Sequence, residues 1–372
     1  MNETEDYVDY LDSVKHARGI RKDGNLTIVR YDIINFQQFL DLKDSGDVEK
    51  GLVVVPVSPI EVHGKYLPLS ADYIETFLAL DMLKDALKNQ RSDNQYTIFE
   101  LPGIPIGTGT NRGHWATLHT NRKAFYDVLV NLFESLVYSG FRKIFVMSVH
   151  HGMIHAYAME QAANKVMKQN KDLDVRILSP NHFIADTLFI QDPVKVFSKY
   201  IEKHGQEPLS DHEKEALNHD HHAGIMEITF TKMISEKLVD PSYKEAPRNV
   251  EDMGAQLKGL ISRKWAAHPP LEPDGCGYNA EPGLADSRNW EVLFTDMIKD
   301  IGLSYVDALY AEDRKAMEPY INMNPWKGYS KGLEIARRMF LGVHSKRNHL
   351  IIPFVLVAIA IPWILYILEI LR

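Results

Sequence analysis

Residues 52–72 read LVVVPVSPIEVHGKYLPLSAD. The first six are apolar without alternation, the pattern of a strand buried on both faces, and the Ser58-Pro59 pair ends the run. Side chains two apart on an extended segment point to the same side, so Glu61 and His63 can converge on one point. A loop carrying Asp72 can fold back to join them. Two carboxylates and an imidazole make a hard-to-borderline donor set, suited to Zn, Mn or Fe and not to a structural thiolate site.

Outward from that stretch, apolar strand-like runs alternate with helical ones. Strands are expected at 96–101, 143–149 and 175–178, and helices at 74–86, 121–139, 155–169 and 223–232. Continuous apolar strands separated by helices of a dozen residues imply βαβ units, hence an α/β fold with a mainly parallel sheet. Ligands of such sheets sit beyond the carboxyl ends of the strands. Both Glu61-Val-His63 and His150-His151-Gly152 fall at such ends. The polar segment 197–218 reads as a surface excursion, 275–290 as a loop, and 290–301 as a helix; two more helices are expected within 307–343.

The 372 residues carry a formal charge of -8, with no long basic run before the C-terminus, which argues against a nucleic-acid partner. One cysteine, Cys276, excludes an intrachain disulfide and fits a reducing compartment. The sixteen histidines cluster at 150–155 and 212–222. Residues 1–23 are acidic and polar, unlike a signal peptide. Residues 350–368, LIIPFVLVAIAIPWILYIL, hold no charge and would span roughly 28 Å as a helix, close to a bilayer's hydrocarbon thickness. With Lys346 and Arg347 before it, the expectation is a single-pass C-terminal membrane anchor with the body of the chain cytoplasmic; Pro353 and Pro362 are tolerated in such a helix.

The motifs resemble those of the creatininase family of metal-dependent amidohydrolases. The family's Glu-x-His-Gly-x-x-Leu-Pro-Leu-x-x-Asp stands here as Glu61-Val-His63-Gly64-Lys-Tyr-Leu67-Pro68-Leu69-Ser-Ala-Asp72. Its second motif appears as Gly140-Phe141-Arg142-Lys143 with Ser148-Val-His150-His151-Gly152-Met153. The third appears as His222-Ala223-Gly224-Ile225-Met226-Glu227-Ile228-Thr229, and a weaker fourth lies between Gly277 and Asp286. The resemblance implies a three-layer αβα domain over 26–305; the polar segment 1–25, the helical connector 306–348 and the anchor 349–371, read from the residues themselves, lie outside it. It implies that Glu61, Asp72 and His150 hold one divalent ion, Zn or Mn with Fe also suitable, and that His63 and the bridging Asp72 hold a second. Creatininase itself has a glutamate where Gly152 stands, so one or two ions follow, with Glu227 the nearest residue to complete the second site.

The resemblance also makes His222 the active-site histidine, a proton donor or transition-state stabiliser, with Glu227 orienting it or a ligand. A metal-bound water near neutral pKa would attack a carbonyl, and a histidine titrating in its ordinary range would protonate the leaving nitrogen. His114, Trp115 and His151 are candidates to line the pocket. His155 would be outer-shell or surface, His212, His219 and His221 would belong to a solvated loop, and Asp220 could support His222. Pro59, Met153 and Ile225 depart from the family pattern. The expected substrate is a small-molecule amide or cyclic amide. Formamide, keto-inositol or modified-peptide hydrolysis, or a catalytically silent membrane-bound role, are the alternatives. The family's usual assembly implies a homohexamer.

Overall fold

The computed structural model describes residues 18–108, 115–179, 193–249 and 277–321. A hairpin of β1 (Ile20–Asp23) and β2 (Leu26–Arg30) opens the fold, turning at Gly24 with φ 61. Then come α1 (Phe36–Asp44), α2 (Asp47–Lys50), β3 (Leu52–Pro56), α3 (Ala71–Gln90) and β4 (Tyr96–Glu100). These are followed by α4 (Arg122–Ser139), β5 (Lys143–Met147), α5 (Met153–Gln169) and β6 (Arg176–Leu178). Four longer helices complete the body: α6 (Pro193–Lys203), α7 (Asp211–Leu217), α8 (Ile225–Ile234) and α9 (Trp290–Tyr310).

The six strands lie in the order β1-β2-β4-β3-β5-β6, parallel except for β1 against β2. Every residue of β3 is buried, which is why its sequence shows no alternation. From β3 the chain crosses through α3 to β4 on one side, and from β5 through α5 to β6 on the other. With right-handed crossovers, opposite directions put these helices on opposite faces of the sheet. Accordingly α3 packs with α8 and α9, whereas α5 packs with α4. The neighbours β3 and β5 therefore flank a topological switch point, the crevice where α/β sheets take their ligands. The segments after β3 and β5 are the ones that carry Glu61, His63 and His150.

Several local expectations change. Helix α3 begins at Ala71, so Asp72 sits in the first helical turn and is not carried by a returning loop. The edge hairpin β1–β2 was not expected. Segment 197–218 contains most of α6 and all of α7; Phe197, Tyr200 and Ile201 are buried at the i, i+3, i+4 spacing of an inward helix face. Helix α9 continues through residue 305 to Tyr310.

The expected membrane location is overturned. Among the described residues no helix is long and apolar enough to cross a membrane. The two longest are interrupted by charge, α3 by Asp81, Lys84, Asp85 and Lys88, and α9 by Asp296, Lys299 and Asp300. The segment 350–368, on which the expectation rested, lies outside the described residues.

Candidate metal centre

The segment after β3 is pinned on both sides. Glu61 N–H donates to the Leu69 carbonyl (2.9 Å) and Val62 N–H to Thr117 Oγ1 (3.1 Å). Gly64 turns the chain at φ 68 and its N–H donates to Gly277 O, itself at φ 66. A Cβ on Gly277 would stand 2.7 Å from Val62 Cγ1, so the two chains meet this closely only through glycine. A carbonyl can only accept, so the 2.9 Å contact between His63 Nδ1 and Glu61 O places the His63 proton on Nδ1. Nε2 of His63 then faces Asp72 Oδ1 at 3.3 Å and Glu227 Oε2 at 3.8 Å.

From the other strand, His150 brings Nδ1 to 3.2 Å from Asp72 Oδ2 and 3.7 Å from Glu61 Oε1. Glu227 comes from the first turn of α8, where its Oε2 also accepts the Ala223 N–H. Ala223 holds φ 53, a left-handed conformation that costs an L-residue about 1–2 kcal/mol. Tyr66 Oη donates to its carbonyl at 2.7 Å, so this kink is held from both peptide faces. It also aims His222, whose Nε2–H donates to Val62 O at 2.7 Å and whose Nδ1 lies 3.6 Å from Glu61 Oε1.

Three groups of donors lie close enough to share an ion: Glu61 with Asp72 and His150, His63 with Asp72 and Glu227, and Glu61 with His63 and His222; in each, the donor atoms fall within 4.8 Å of one another. Asp72 belongs to the first two. Both its carboxylate oxygens are buried, and the partners they face are imidazole nitrogens, His63 Nε2 on one and His150 Nδ1 on the other. Burial would depress His63 and His150, yet the carboxylates of Asp72, Glu227 and Glu61 outweigh it and raise both, His150 to about 9. Burial likewise opposes the Asp72 charge, but the two imidazoles hold that carboxyl well below its usual range. Burial pushes Glu227 up to about 7. The cluster is one of buried carboxylates that favour positive charge on the imidazoles facing them; divalent cations on the same donors would take the place of protons there.

Not every expected residue joins. Burial, reinforced by His63, pushes His222 down to about 3, so it does not titrate in the ordinary histidine range. His151 belongs to none of the three groups, and burial next to His150 takes it to about 4. Trp115 is 77% exposed on the rim, where Leu118 N–H bonds Ile60 O, and His114 and Cys276 lie outside the described residues. His212 pairs with Glu281 away from the cluster. Asp220 accepts the N–H groups of Ile225 and Met226 and so caps α8 instead of supporting His222. His155 is fully buried beneath the cluster. Glu75 was missed: it is buried three residues after Asp72 and accepts from Thr231 Oγ1 at 2.6 Å. An acidic residue at i+3 from Asp72, on the same helix face, was the available signal.

A profile of the family described as "Creatininase: Creatinine amidohydrolase" matches residues 39–302. The chain belongs to the creatininase family. Among solved structures it is similar to a creatinine amidohydrolase (creatininase) at 13% identity, covering 78% of this chain and 100% of that one with a TM-score of 0.49. It is similar to a Bacteroides fragilis protein described as a creatinine amidohydrolase at 17% identity, 70% and 93% coverage and a TM-score of 0.46. A structure described as "Creatininase Mn" follows at 13% identity, 78% and 99% coverage and a TM-score of 0.49. No curated protein matches the chain. In this creatininase-family member Gly152 caps α5 without a side chain to offer, and the second Asp72-containing group draws its third donor, Glu227, from α8.

Proposed function

We propose that this creatininase-family chain is a metal-dependent hydrolase of a C–N bond in a small amide or cyclic amide. Glu61, Asp72 and His150 would hold one divalent ion and His63, Asp72 and Glu227 a second, with Zn or Mn suited to these carboxylate and imidazole donors. The observation that carries this is Asp72, a fully buried carboxylate shared by two donor groups, whose two oxygens each face an imidazole nitrogen. When bound, a divalent ion there supplies an activated water and a polarised carbonyl oxygen.

The chain's own residues do the rest. Glu61 O fixes the tautomer of His63, keeping Nε2 as a donor atom. His222 is anchored through Nε2–H to Val62 O, which leaves its Nδ1 lone pair facing the cluster. It therefore acts as a neutral acceptor at Nδ1 that orients a water. Leu69, Trp115 and Leu118 present exposed apolar surface near the ligand loop, the kind of rim that holds the carbon skeleton of a small substrate.

The test is a hydrolysis panel of lactams, N-formyl compounds and short amides, followed by amine release. Protein loaded with Zn²⁺ or Mn²⁺ should release amine from at least one class. Chelation should abolish this, metal should restore it, and His150→Ala should lack it. Stoichiometric metal without cleavage of any C–N bond would sink the hydrolase and leave a metal-binding protein.

A further inference from the structure

Beneath the donor cluster runs a chain of buried polar groups. Thr76 Oγ1 donates to the Asp72 carbonyl at 2.7 Å, Ser58 Oγ lies 2.8 Å from Thr76 Oγ1, and Ser148 Oγ lies 2.8 Å from Ser58 Oγ. His155 Nε2 stands 3.4 Å from Ser148 Oγ, and the Thr108 N–H donates to His155 Nδ1 at 3.3 Å. Ser58, Thr76, Ser148 and His155 are all buried.

The direction of every bond follows from either end. A hydroxyl has one proton. Thr76 uses its proton on Asp72 O, so Ser58 must donate to Thr76, Ser148 to Ser58, and His155 Nε2–H to Ser148. Starting instead from Thr108, its N–H needs a lone pair on His155 Nδ1, which leaves the single proton of a neutral imidazole on Nε2. The two ends agree. A lone pair on Nδ1 also makes the ring neutral.

Such a chain is not a proton wire, because it ends on a main-chain carbonyl that has no proton to pass on. It joins the structures that carry the donors. Ser58 follows β3, Ser148 follows β5, and Thr76 lies on α3 one turn beyond Asp72. Thr76 Oγ1 also accepts the Val149 N–H at 3.1 Å, one residue before His150. The His155 ring meets the His150 ring edge-on (centroids 5.0 Å, 88°) and stacks on Phe125 at 4.5 Å. The loop can reach His155 because residue 107 is glycine: a Cβ there would meet Pro59 Cβ at 2.8 Å and His155 Nδ1 at 3.1 Å.

We propose that His155, with Ser148, Ser58 and Thr76, forms a one-directional hydrogen-bond tether that positions Asp72 and His150 as metal donors across the β3–β5 crevice. These are positioning residues that touch neither metal nor substrate. The proposal rests on the metal-site assignment above, and the experiment separates the two.

Full-length protein is titrated calorimetrically with Zn²⁺ and Mn²⁺ as wild type, Thr76→Val, Thr76→Ser and His155→Phe, with thermal melts in parallel. Imidazole ¹⁵N NMR of the metal-free wild type, assigned with His155→Phe, reads the tautomer. Thr76→Val and His155→Phe should weaken metal binding about 10–100-fold, the range typical of partners behind the ligands. Thr76→Ser, which keeps the hydroxyl, should stay near wild type, and His155 should be the neutral Nε2–H form. Unchanged affinity in Thr76→Val and His155→Phe, or an Nδ1–H tautomer at His155, would overturn the tether. A wild type that takes no metal would remove the metal assignment, and the tautomer would still decide the tether.

Discussion

Two buried carboxylates, Asp72 and Glu213, show opposite designs. Glu213 accepts from Ser210 N and Oγ (both 2.8 Å), Ser287 Oγ (2.9 Å), Arg288 Nε (2.8 Å) and Arg288 Nη2 (2.7 Å). Those donors, Arg288 foremost, pull its pKa down to about 2. Every lone pair is answered by the protein itself, and the result is a clamp between α7 and the segment leading into α9. Asp72 is more deeply buried and yet receives no N–H or O–H from backbone, hydroxyl or guanidinium, only the facing edges of two imidazoles that are themselves good metal ligands. A fold that can satisfy one buried carboxylate so fully leaves the other open where a cation belongs. Structural burial looks like Glu213; a binding site looks like Asp72.

The contrast can be broken at either end. The largest effect is expected from Asp72→Asn, which removes the donor common to two groups. Metal affinity should fall by more than about 100-fold, beyond what outer-shell partners usually control, as read by metal content after gel filtration. Glu227→Gln should be narrower: one ion per chain retained and the other weakened about 10–100-fold, visible as a loss of stoichiometry in a calorimetric titration.

Glu213→Gln should leave metal content untouched but cost about 2–3 kcal/mol of stability in chemical denaturation. The pH dependence carries the same sign. The folded Glu213 lies at about 2, below its ordinary value, so its contribution is full above the unfolded carboxyl range and is lost as pH falls toward 2. The smallest change belongs to Ala223→Gly. Relief of the left-handed strain is offset by the lost methyl burial and by greater chain entropy, so stability should stay within about 1 kcal/mol of wild type. A larger shift would mean that strain holds the α8 side of the cluster in place.

The sequence was most readable where local period and chain order coincide. The unbroken apolar run of β3 and the two-residue spacing of Glu61 and His63 announced a buried parallel strand with donors at its end, and His150 followed the next such strand. The helical pattern shows only from residue 74, whereas the helix starts at Ala71 and takes Asp72 into its first turn. The hairpin β1–β2 escaped because its first strand, Ile20-Arg-Lys-Asp, is a short edge with two exposed charges and shows no buried face. Helix α6 hid its apolar positions among lysines. The role expected of His222 depended on exposure: burial and the Val62 carbonyl fix it as a neutral acceptor, and both arise from contacts distant in sequence. The Thr76–Ser58–Ser148 chain joins three separate segments and has no signature in any one of them.

The central claim is that the cluster around Asp72 is a metal centre. Elemental analysis of purified full-length protein after loading with Zn²⁺ or Mn²⁺ and desalting, with Asp72→Asn beside it, tests this most directly. The account predicts two ions per wild-type chain and none retained by Asp72→Asn; a single ion would delete the group completed by Glu227. Wild-type protein that retains no stoichiometric metal would contradict the account outright.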